Sequence, residues 1–301
     1  MANSSRTTAL AVGGIAALTW GLTGTFIKLL PEFTTLEVLA LRISIALVSA
    51  LCLCLVKPRI LTQAYKLVRQ PLGILLASLM VLYYLFAVRA FQLAPVSDVT
   101  LVVGLSPILG LGFKATTGKP LSKGELIGAI TAFVGLFLFV LPRLQGGTAD
   151  RSIYIIGLFF ALLAACVSLS YAALFRQQSH RQLSIDPVVV AFTTFAIGTV
   201  AVLPIAIATS PQLHMKATAD LRTIAIVLGL GVVSTVLPTF CYSYAAKHLS
   251  PILTTALNLL TPIFAAAIAT IFLGESLPTV SILGAILVFG GIFLISADRS
   301  A

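Results

Sequence analysis

Long apolar stretches of similar length follow one another along the 301-residue chain. A transmembrane helix needs about 20 predominantly apolar residues, and charged residues or turn formers mark the end of each stretch here. The pattern therefore predicts an all-α integral membrane protein with ten transmembrane helices. The predicted helices cover residues 7–29, 35–56, 71–91, 96–115, 122–142, 152–176, 186–208, 220–244, 250–273 and 277–297. Turn chemistry predicts loops at Pro58-Arg59, at residues 117–120 and at residues 145–147.

The composition agrees with the membrane class, because 59% of the residues are hydrophobic and only 9% are charged. Soluble domains contain about 25% charged residues, so a water-soluble fold would lack polar side chains to cover its surface. The first apolar stretch, from Thr7 to Ile27, is longer than the roughly 7–15 residues of a signal-peptide core. We therefore expect it to be retained as the first helix.

The net charge of +10 reflects orientation in the bilayer rather than nucleic-acid binding. The basic residues lie mainly between the apolar stretches, and no basic patch with interleaved aromatic residues is present in the sequence. If the N-terminus is cytoplasmic, the inner segments hold twice as many Lys and Arg residues as the outer segments. The positive-inside rule then predicts cytoplasmic termini, and we expect a multi-pass protein of a bacterial inner (plasma) membrane.

Residues of the first half recur in the second half at a nearly constant spacing. Ser106-Pro107 recurs 155 residues later as Thr261-Pro262. Five further residues recur at a spacing of 156: Gly118, Leu121, Gly128, Gly135 and Phe137 match Gly274, Leu277, Gly284, Gly291 and Phe293. We therefore predict two five-helix repeats, residues 1–144 and residues 145–301, within one membrane domain.

An odd number of helices in each repeat inverts the second repeat relative to the first. Inverted repeats are common in secondary transporters, where they create two equivalent gates around one site near the bilayer midplane. Glycine-rich faces are predicted to permit close helix packing. These faces contain Gly128 and Gly135 in one repeat and Gly284, Gly290 and Gly291 in the other. We expect a monomer, with dimerisation as the alternative.

Pro107 and Pro262 occupy matching positions near the middles of predicted helices. Proline removes one backbone donor and disturbs the bond to the carbonyl four residues earlier. In lipid such groups need protein or water as partners. The matching positions favour a hinge or gate beside a cavity. Pro204 and Pro238 lack first-half counterparts and are interpreted as packing kinks.

Two charged side chains lie within predicted helices. Asp98 follows Pro95 at the start of the fourth helix, and an acid inside the membrane is a candidate for coupling or gating. Capping of the helix N-terminus is the alternative role for Asp98. Arg42 lies five residues after Glu37. It could pair with Glu37, extend toward the lipid headgroups, or bind the carboxylate of a substrate, and the sequence leaves these alternatives open.

Polar aromatic side chains and one asparagine form the candidate substrate site. Buried indole and phenol donors need partners, so we expect these side chains to face the interior of the bundle. Together they would form an amphipathic cavity suited to an aromatic or apolar organic molecule. Separate hydrogen bonds between helices are the alternative. The candidate substrate-binding residues are Trp20, Tyr83, Tyr84, Tyr171, Tyr242 and Asn258.

The sequence lacks motifs for nucleotides, metals and catalysis. There is no P-loop, and Gly229-Leu230-Gly231 is only a fragment of a dinucleotide-binding pattern. The 4 cysteines lie in apolar stretches without metal-ligand spacing. No helix interior pairs a histidine with an acid at helical spacing. We therefore predict no cofactor, no metal site and no enzymatic activity, with a membrane scaffold as the non-transport alternative.

The second half of the chain resembles the second repeat of an EamA-type transporter of the drug/metabolite transporter superfamily. The residues that carry this resemblance are Ala246–Pro251, Asn258, Thr261-Pro262 and, most specifically, Gly274-Glu275 followed by Gly284 and Gly291. Residues 90–118 resemble the first copy, although Lys119 stands where the family has glutamate. The resemblance extends over essentially the whole chain.

This resemblance implies ten helices, cytoplasmic termini and alternating access around a central cavity. Helices one, three, four, six, eight and nine are expected to line the cavity, with helices five and ten at the periphery. Within the superfamily the chain looks most like the YddG-type exporters of aromatic amino acids. We therefore expect a secondary transporter that exports aromatic or hydrophobic amino acids or similar small metabolites. Efflux of cationic drugs, with Asp98 as the binding acid, is the alternative transport function.

Overall fold

The computed structural model describes residues 2–118, 120–143, 151–180, 186–213, 218, 220–265, 267 and 278–297. Within these residues, nine helical stretches are long and apolar enough to cross a membrane, and Pro251–Ala265 is a shorter apolar helix. These segments coincide with the ten predicted helices, and the predicted end of the ninth, near residue 273, lies outside the described residues. The chain is therefore an all-helical, multi-pass membrane protein over the part described.

The helices are numbered in chain order. The first half contains α1 (Ala2–Trp20), α2 (Thr23–Lys28), α3 (Thr35–Val56), α4 (Arg59–Val68), α5 (Pro71–Leu93), α6 (Val96–Val103), α7 (Ser106–Thr116) and α8 (Lys123–Val140). The second half contains α9 (Arg151–His180), α10 (Pro187–Thr209), α11 (Leu221–Gly231), a π-helical segment (Val232–Val236), α12 (Leu237–His248), α13 (Pro251–Ala256), a 3-10 segment (Leu257–Leu260) and α14 (Thr279–Ala297).

Four of the membrane-crossing segments are interrupted near their middles. A turn at Gly21-Leu22 separates α1 from α2, and Gly104-Leu105 separates α6 from α7. The π-helical segment precedes α12, and the 3-10 segment follows α13. The single helix predicted over residues 96–115 is therefore two helices. Irregular backbone at membrane depth must be buried against protein or line a cavity. Three of the interruptions adjoin lining residues of the cavity described below, and the π-helical segment hydrogen-bonds to Arg42 of that lining.

The amphipathic helix α4 begins where the sequence predicted a loop at Pro58-Arg59. Its apolar residues Ile60, Ala64 and Leu67 are buried, while Arg59 is exposed. This spacing places apolar side chains on one face of an otherwise polar helix, which is typical of a helix at the membrane surface. The predicted break is present at Lys57 and Pro58, but Arg59 already begins α4. The helix was not predicted because the segment is too short to span a membrane, and its helical period emerges only over the whole segment.

Helices α8 and α14 pack against each other through their glycine faces. A Cβ atom on Gly128 would lie 2.7 Å from the carbonyl oxygen of Gly291, and one on Gly135 would lie 2.7 Å from that of Gly284. The two backbones therefore touch, which confirms the predicted close packing. Gly290 was expected to belong to the same face, but a Cβ atom there would meet nothing within 4 Å.

Candidate substrate cavity

A small cavity lies between the interrupted helices. Its volume open to water is about 40 Å³. A single water needs about 10–15 Å³ by the same measure, so the cavity admits a few waters and is too small for an amino acid in this conformation. The cavity is lined by Trp20, Thr23, Arg42, Tyr83, Tyr84, Ala87, Phe91, Thr100, Val103, Asn258 and Thr261. A substrate of that size therefore requires another conformation of the helices.

The five aromatic residues of the predicted site form one contiguous cluster. The Trp20 ring lies 5.6 Å from the Tyr83 ring and 5.1 Å from the Tyr242 ring. Tyr83 and Tyr84 are 5.5 Å apart, and Tyr242 stacks on Tyr171 at 5.9 Å. These distances are those of favourable aromatic pairs. The structure thus brings together residues of α1, α5, α9 and α12 that are far apart in sequence.

Tyr171 and Tyr242 lie behind the cavity lining. The Tyr242 hydroxyl is 2.9 Å from the Ser168 hydroxyl, and the Tyr171 hydroxyl is 2.7 Å from the Ser243 hydroxyl. Both hydrogen bonds join α9 to α12, so these two tyrosines fasten the wall of the cavity. Trp20, Tyr83, Tyr84 and Asn258 line the cavity, and their contact with a substrate stays a prediction.

Arg42 is a buried charge in the cavity wall, with 1% of its surface exposed. Its Nε donates to the Thr235 hydroxyl at 3.0 Å, and its Nη2 donates to the Ser234 carbonyl at 3.0 Å. The guanidinium carbon lies 4.2 Å from the centre of the Tyr84 ring. These contacts are all with neutral groups. Arg42 therefore neither pairs with Glu37 nor extends toward the lipid headgroups. It belongs to the second predicted helix, which was not expected to line the cavity.

The backbone of the eighth span is shaped to hold Arg42. Proline has no amide N–H, so Pro238 cannot bond to the Ser234 carbonyl four residues earlier, and that carbonyl accepts from Arg42. The Thr235 hydroxyl donates to the Leu230 carbonyl at 2.7 Å and accepts from Arg42 Nε. Pro238 thus contributes to the site, whereas the sequence suggested only a packing kink. The signal available in the sequence was a membrane arginine together with a Ser-Thr pair ahead of a proline.

Several polar atoms of the cavity lining are buried without a hydrogen-bond partner. They are Trp20 Nε1, Thr23 Oγ1, Arg42 Nη1 and both side-chain amide atoms of Asn258. Trp20 and Asn258 approach tyrosine hydroxyl groups, but without hydrogen-bonding geometry. A buried polar group without a partner costs about 1–3 kcal/mol, and more when it is charged. A ligand with polar atoms would therefore be stabilised where these groups converge.

Pro107 and Pro262 each follow one of the helix interruptions. Pro107 is the second residue of α7, and the Ser106 hydroxyl donates at 2.6 Å to the Val103 carbonyl, which proline leaves without its helical partner. Pro262 follows the 3-10 segment and stands next to the cavity residue Thr261. The prolines therefore lie beside interrupted backbone, and their role as hinges stays a prediction.

Replacing Pro262 by alanine is expected to slow transport severalfold without lowering thermal stability. Alanine supplies an amide donor toward residue 258 and favours regular α-helix in place of the 3-10 segment. The initial rate of substrate exchange and the melting temperature measure the two effects. Pro204→Ala is the control, because Pro204 is exposed within α10. Equal, wild-type rates in both variants would contradict a hinge at Pro262.

Asp98 lies outside the cavity lining. It is in the first turn of α6, where the helix dipole stabilises an anion, and it accepts a hydrogen bond from the Tyr154 hydroxyl at 2.8 Å. This bond links α6 of the first half to α9 of the second half. The structure therefore does not bring Asp98 together with the aromatic cluster.

A larger opening of about 700 Å³ lies at the ends of α2, α3, α5 and α10. Lys28 and Arg89 contribute positive charge to its wall. Gln92 also lines it, donating to the Phe33 carbonyl at 2.9 Å and accepting from Thr35 at 2.5 Å. Sequence reasoning did not single out these residues, because charged and polar residues at helix ends are common in membrane proteins.

Membrane-crossing helices that are interrupted around a small amphipathic cavity are typical of membrane transporters. Comparison with known sequences gives the family. The sequence profile of the EamA-like transporter family matches the chain twice, over residues 7–141 and 156–297. The chain belongs to this family, which confirms the EamA-type prediction.

Two further comparisons agree with this family. An uncharacterized transporter of Archaeoglobus fulgidus is 22% identical over 208 residues, which are 69% of each chain. One protein crystal structure matches with a TM-score of 0.71 and 19% identity over 96% of each chain. At that identity the crystal structure shows that the fold is shared and nothing more.

Proposed function

We propose that this chain is a secondary transporter that exports aromatic or hydrophobic amino acids and related small metabolites, as the YddG-type branch of the superfamily does. The observation that carries the proposal is a single cavity that combines aromatic surfaces with unpartnered polar atoms. An amino acid with an apolar side chain needs both kinds of surface. Trp20 and Tyr83 offer ring faces, and Asn258 offers a donor and an acceptor.

We further propose that the two halves, residues 1–144 and 145–301, are inverted repeats. The family profile matches each half once. The glycines of α8 and α14 also meet reciprocally: Gly128 faces Gly291, and Gly135 faces Gly284. Gly128 corresponds in sequence to Gly284, and Gly135 to Gly291, so the two contacts exchange under a twofold rotation. The earlier glycine of α8 meets the later glycine of α14, so the two helices run antiparallel at this contact, as inversion requires.

Alternating access between these halves is the mechanism that fits the interrupted helices. Three of the breaks adjoin the cavity lining, and the fourth, the π-helical segment, holds Arg42 of that lining. Pro107 and Pro262 lie beside two of the breaks as proposed hinges. The Asp98–Tyr154 hydrogen bond is a proposed gate contact, because it joins the two halves. With cytoplasmic termini in a bacterial inner membrane, the opening near Lys28 and Arg89 faces the outside. The proposed working unit is a monomer, since the glycine faces of α8 and α14 are used within the chain.

The electrostatics of the cavity disfavour efflux of cations. Arg42 places a positive charge in the wall, and a guanidinium does not lose its proton in proteins. Asp98, the acid on which that alternative depends, lies outside the lining and bonds to Tyr154. A cationic substrate would therefore meet a like charge without a compensating carboxylate from Asp98.

Asp98→Ala and Tyr154→Phe are expected to change the transport rate by similar factors, because each removes the same hydrogen bond between α6 and α9. The binding affinity for an amino acid should stay within about threefold of the wild type, since neither residue lines the cavity. Rates of exchange and equilibrium binding measure these effects. If Asp98→Asn alone abolished transport of a lipophilic cation, drug efflux would replace amino acid export as the function.

Counterflow in proteoliposomes tests the proposed function. Vesicles loaded with unlabelled phenylalanine, leucine or lysine are exposed to the labelled compound, with and without a pH gradient. We expect accumulation of phenylalanine and leucine over empty vesicles, and weak accumulation of lysine. Failure of folded protein to exchange any of the three would overturn the amino acid assignment.

A further inference from the structure

The cavity holds a positive charge that its described protein contacts do not neutralise. Arg42 touches a hydroxyl, a carbonyl and an aromatic ring, and its Nη1 has no hydrogen-bond partner. Leaving a buried charge uncompensated is strongly unfavourable. Because guanidinium stays protonated, the protein cannot relieve this cost by losing the charge. The cavity is therefore suited to an anion.

The guanidinium is fixed in place before any ligand arrives. Two of its nitrogens are bound to Thr235 and Ser234. Its central carbon lies over the Tyr84 ring, whose hydroxyl hydrogen-bonds to Thr239. Such a held guanidinium loses little side-chain entropy on binding. The remaining nitrogen, Nη1, has no hydrogen-bond partner, and Arg42 is one of the residues that line the cavity.

The neighbouring groups limit the size and charge of the anion. Thr23 and Trp20 add further donors to the lining, while Tyr83, Ala87 and Phe91 supply apolar surface. Among the described residues of the lining, Arg42 is the only basic one. One guanidinium with one free nitrogen matches a single carboxylate better than a phosphate, which carries more charge.

We propose that Arg42 binds the carboxylate of the transported molecule, so that the substrate class is small organic carboxylates with an apolar body. This inference rests on the proposed function, because it assumes that the substrate passes through the cavity. Asn258 Oδ1 would accept from an ammonium group when the carboxylate is an amino acid. Monocarboxylates without an ammonium group are then also substrates.

Equilibrium dialysis of the full-length protein in detergent, with three labelled probes, tests this assignment. The probes are L-phenylalanine, 3-phenylpropionate and phenethylamine, which share the ring and differ in their charged groups. We expect the wild type to bind both carboxylates at least about tenfold more tightly than the amine. Arg42→Gln should weaken binding of the carboxylates by on the order of tenfold to a hundredfold, and leave the amine unchanged.

Two further variants separate binding from folding. Arg42→Lys keeps the charge, and we expect it to retain part of the preference for carboxylates. Arg176→Gln removes a half-buried arginine of α9 that bonds to the Lys247 carbonyl, and it should bind like the wild type. Any one of three results would overturn the assignment. Arg42→Gln could lose affinity for all three probes equally, the wild type could bind the amine as tightly as the carboxylates, or the wild type could bind neither carboxylate. Each outcome is independent of the exchange assay, which alone decides whether the chain transports amino acids.

Discussion

Trp20→Ala is expected to lower the transport rate at limiting substrate by tenfold or more. Trp20 packs against Tyr83 from the first half and Tyr242 from the second half. Each aromatic contact contributes about 0.5–1.5 kcal/mol beyond the area that it buries, and a substrate ring would replace part of these contacts. Removing the indole therefore removes both a binding surface and one of the contacts between the halves.

The measurement for Trp20→Ala is initial exchange in proteoliposomes, corrected for the amount of folded protein. Trp20→Phe should retain more activity, because it keeps an aromatic face. Phe195→Ala is the control for destabilisation. Phe195 is fully buried against Phe240 and is not part of the cavity lining, so its loss should lower stability without lowering affinity. Wild-type transport by Trp20→Ala would remove Trp20 from the site.

Gly291→Ala is expected to lower the melting temperature strongly, whereas Gly290→Ala one residue earlier should leave it unchanged or raise it. A Cβ atom on Gly291 would lie 2.4 Å from the Ala132 amide nitrogen and 2.5 Å from the Gly128 carbonyl oxygen. Backbone atoms cannot move aside as a flexible side chain can, so α8 and α14 would have to separate. Overpacking of this kind costs about 1–3 kcal/mol.

Gly290→Ala and Gly291→Ala are a well-matched pair of substitutions. Both substitutions add one methyl group to the same helix, and both gain the helix propensity of alanine over glycine. They differ in the space available, because a Cβ atom on Gly290 meets nothing within 4 Å. Thermal unfolding monitored in detergent gives the result. Equal melting temperatures would show that the close contact between α8 and α14 is not needed for stability.

The sequence was sufficient to predict the elements that depend on local composition. The length and hydrophobicity of each span predicted the helices, and the glycine-rich faces predicted close helix packing, although not that α8 would pack on α14. The aromatic cluster was also predictable in part, because buried Tyr and Trp need polar partners. Which of these residues line the cavity was not predictable, since Tyr171 and Tyr242 differ from Tyr83 and Tyr84 only in their tertiary surroundings.

The anchoring of Arg42 lay beyond the reach of the sequence. Its partners Thr235 and Ser234 are 193 and 192 residues away, and they are presented by a π-helical segment that no hydrophobic period signals. The pairing with Glu37 looked natural only because the two residues are close in the chain. A membrane arginine has several ways to be satisfied, and packing between distant helices decides among them.

The fluorescence of Trp20 tests most directly whether the cavity is the substrate site. Trp20 is the only tryptophan of the chain, and its indole N–H lies unpartnered in the cavity wall. All tryptophan emission from the protein therefore reports on this cavity. Titration with leucine or phenylalanine, excited at wavelengths that only tryptophan absorbs, should give a saturable change that Asn258→Ala weakens. Unchanged emission from protein that exchanges these amino acids in proteoliposomes would place the substrate site elsewhere.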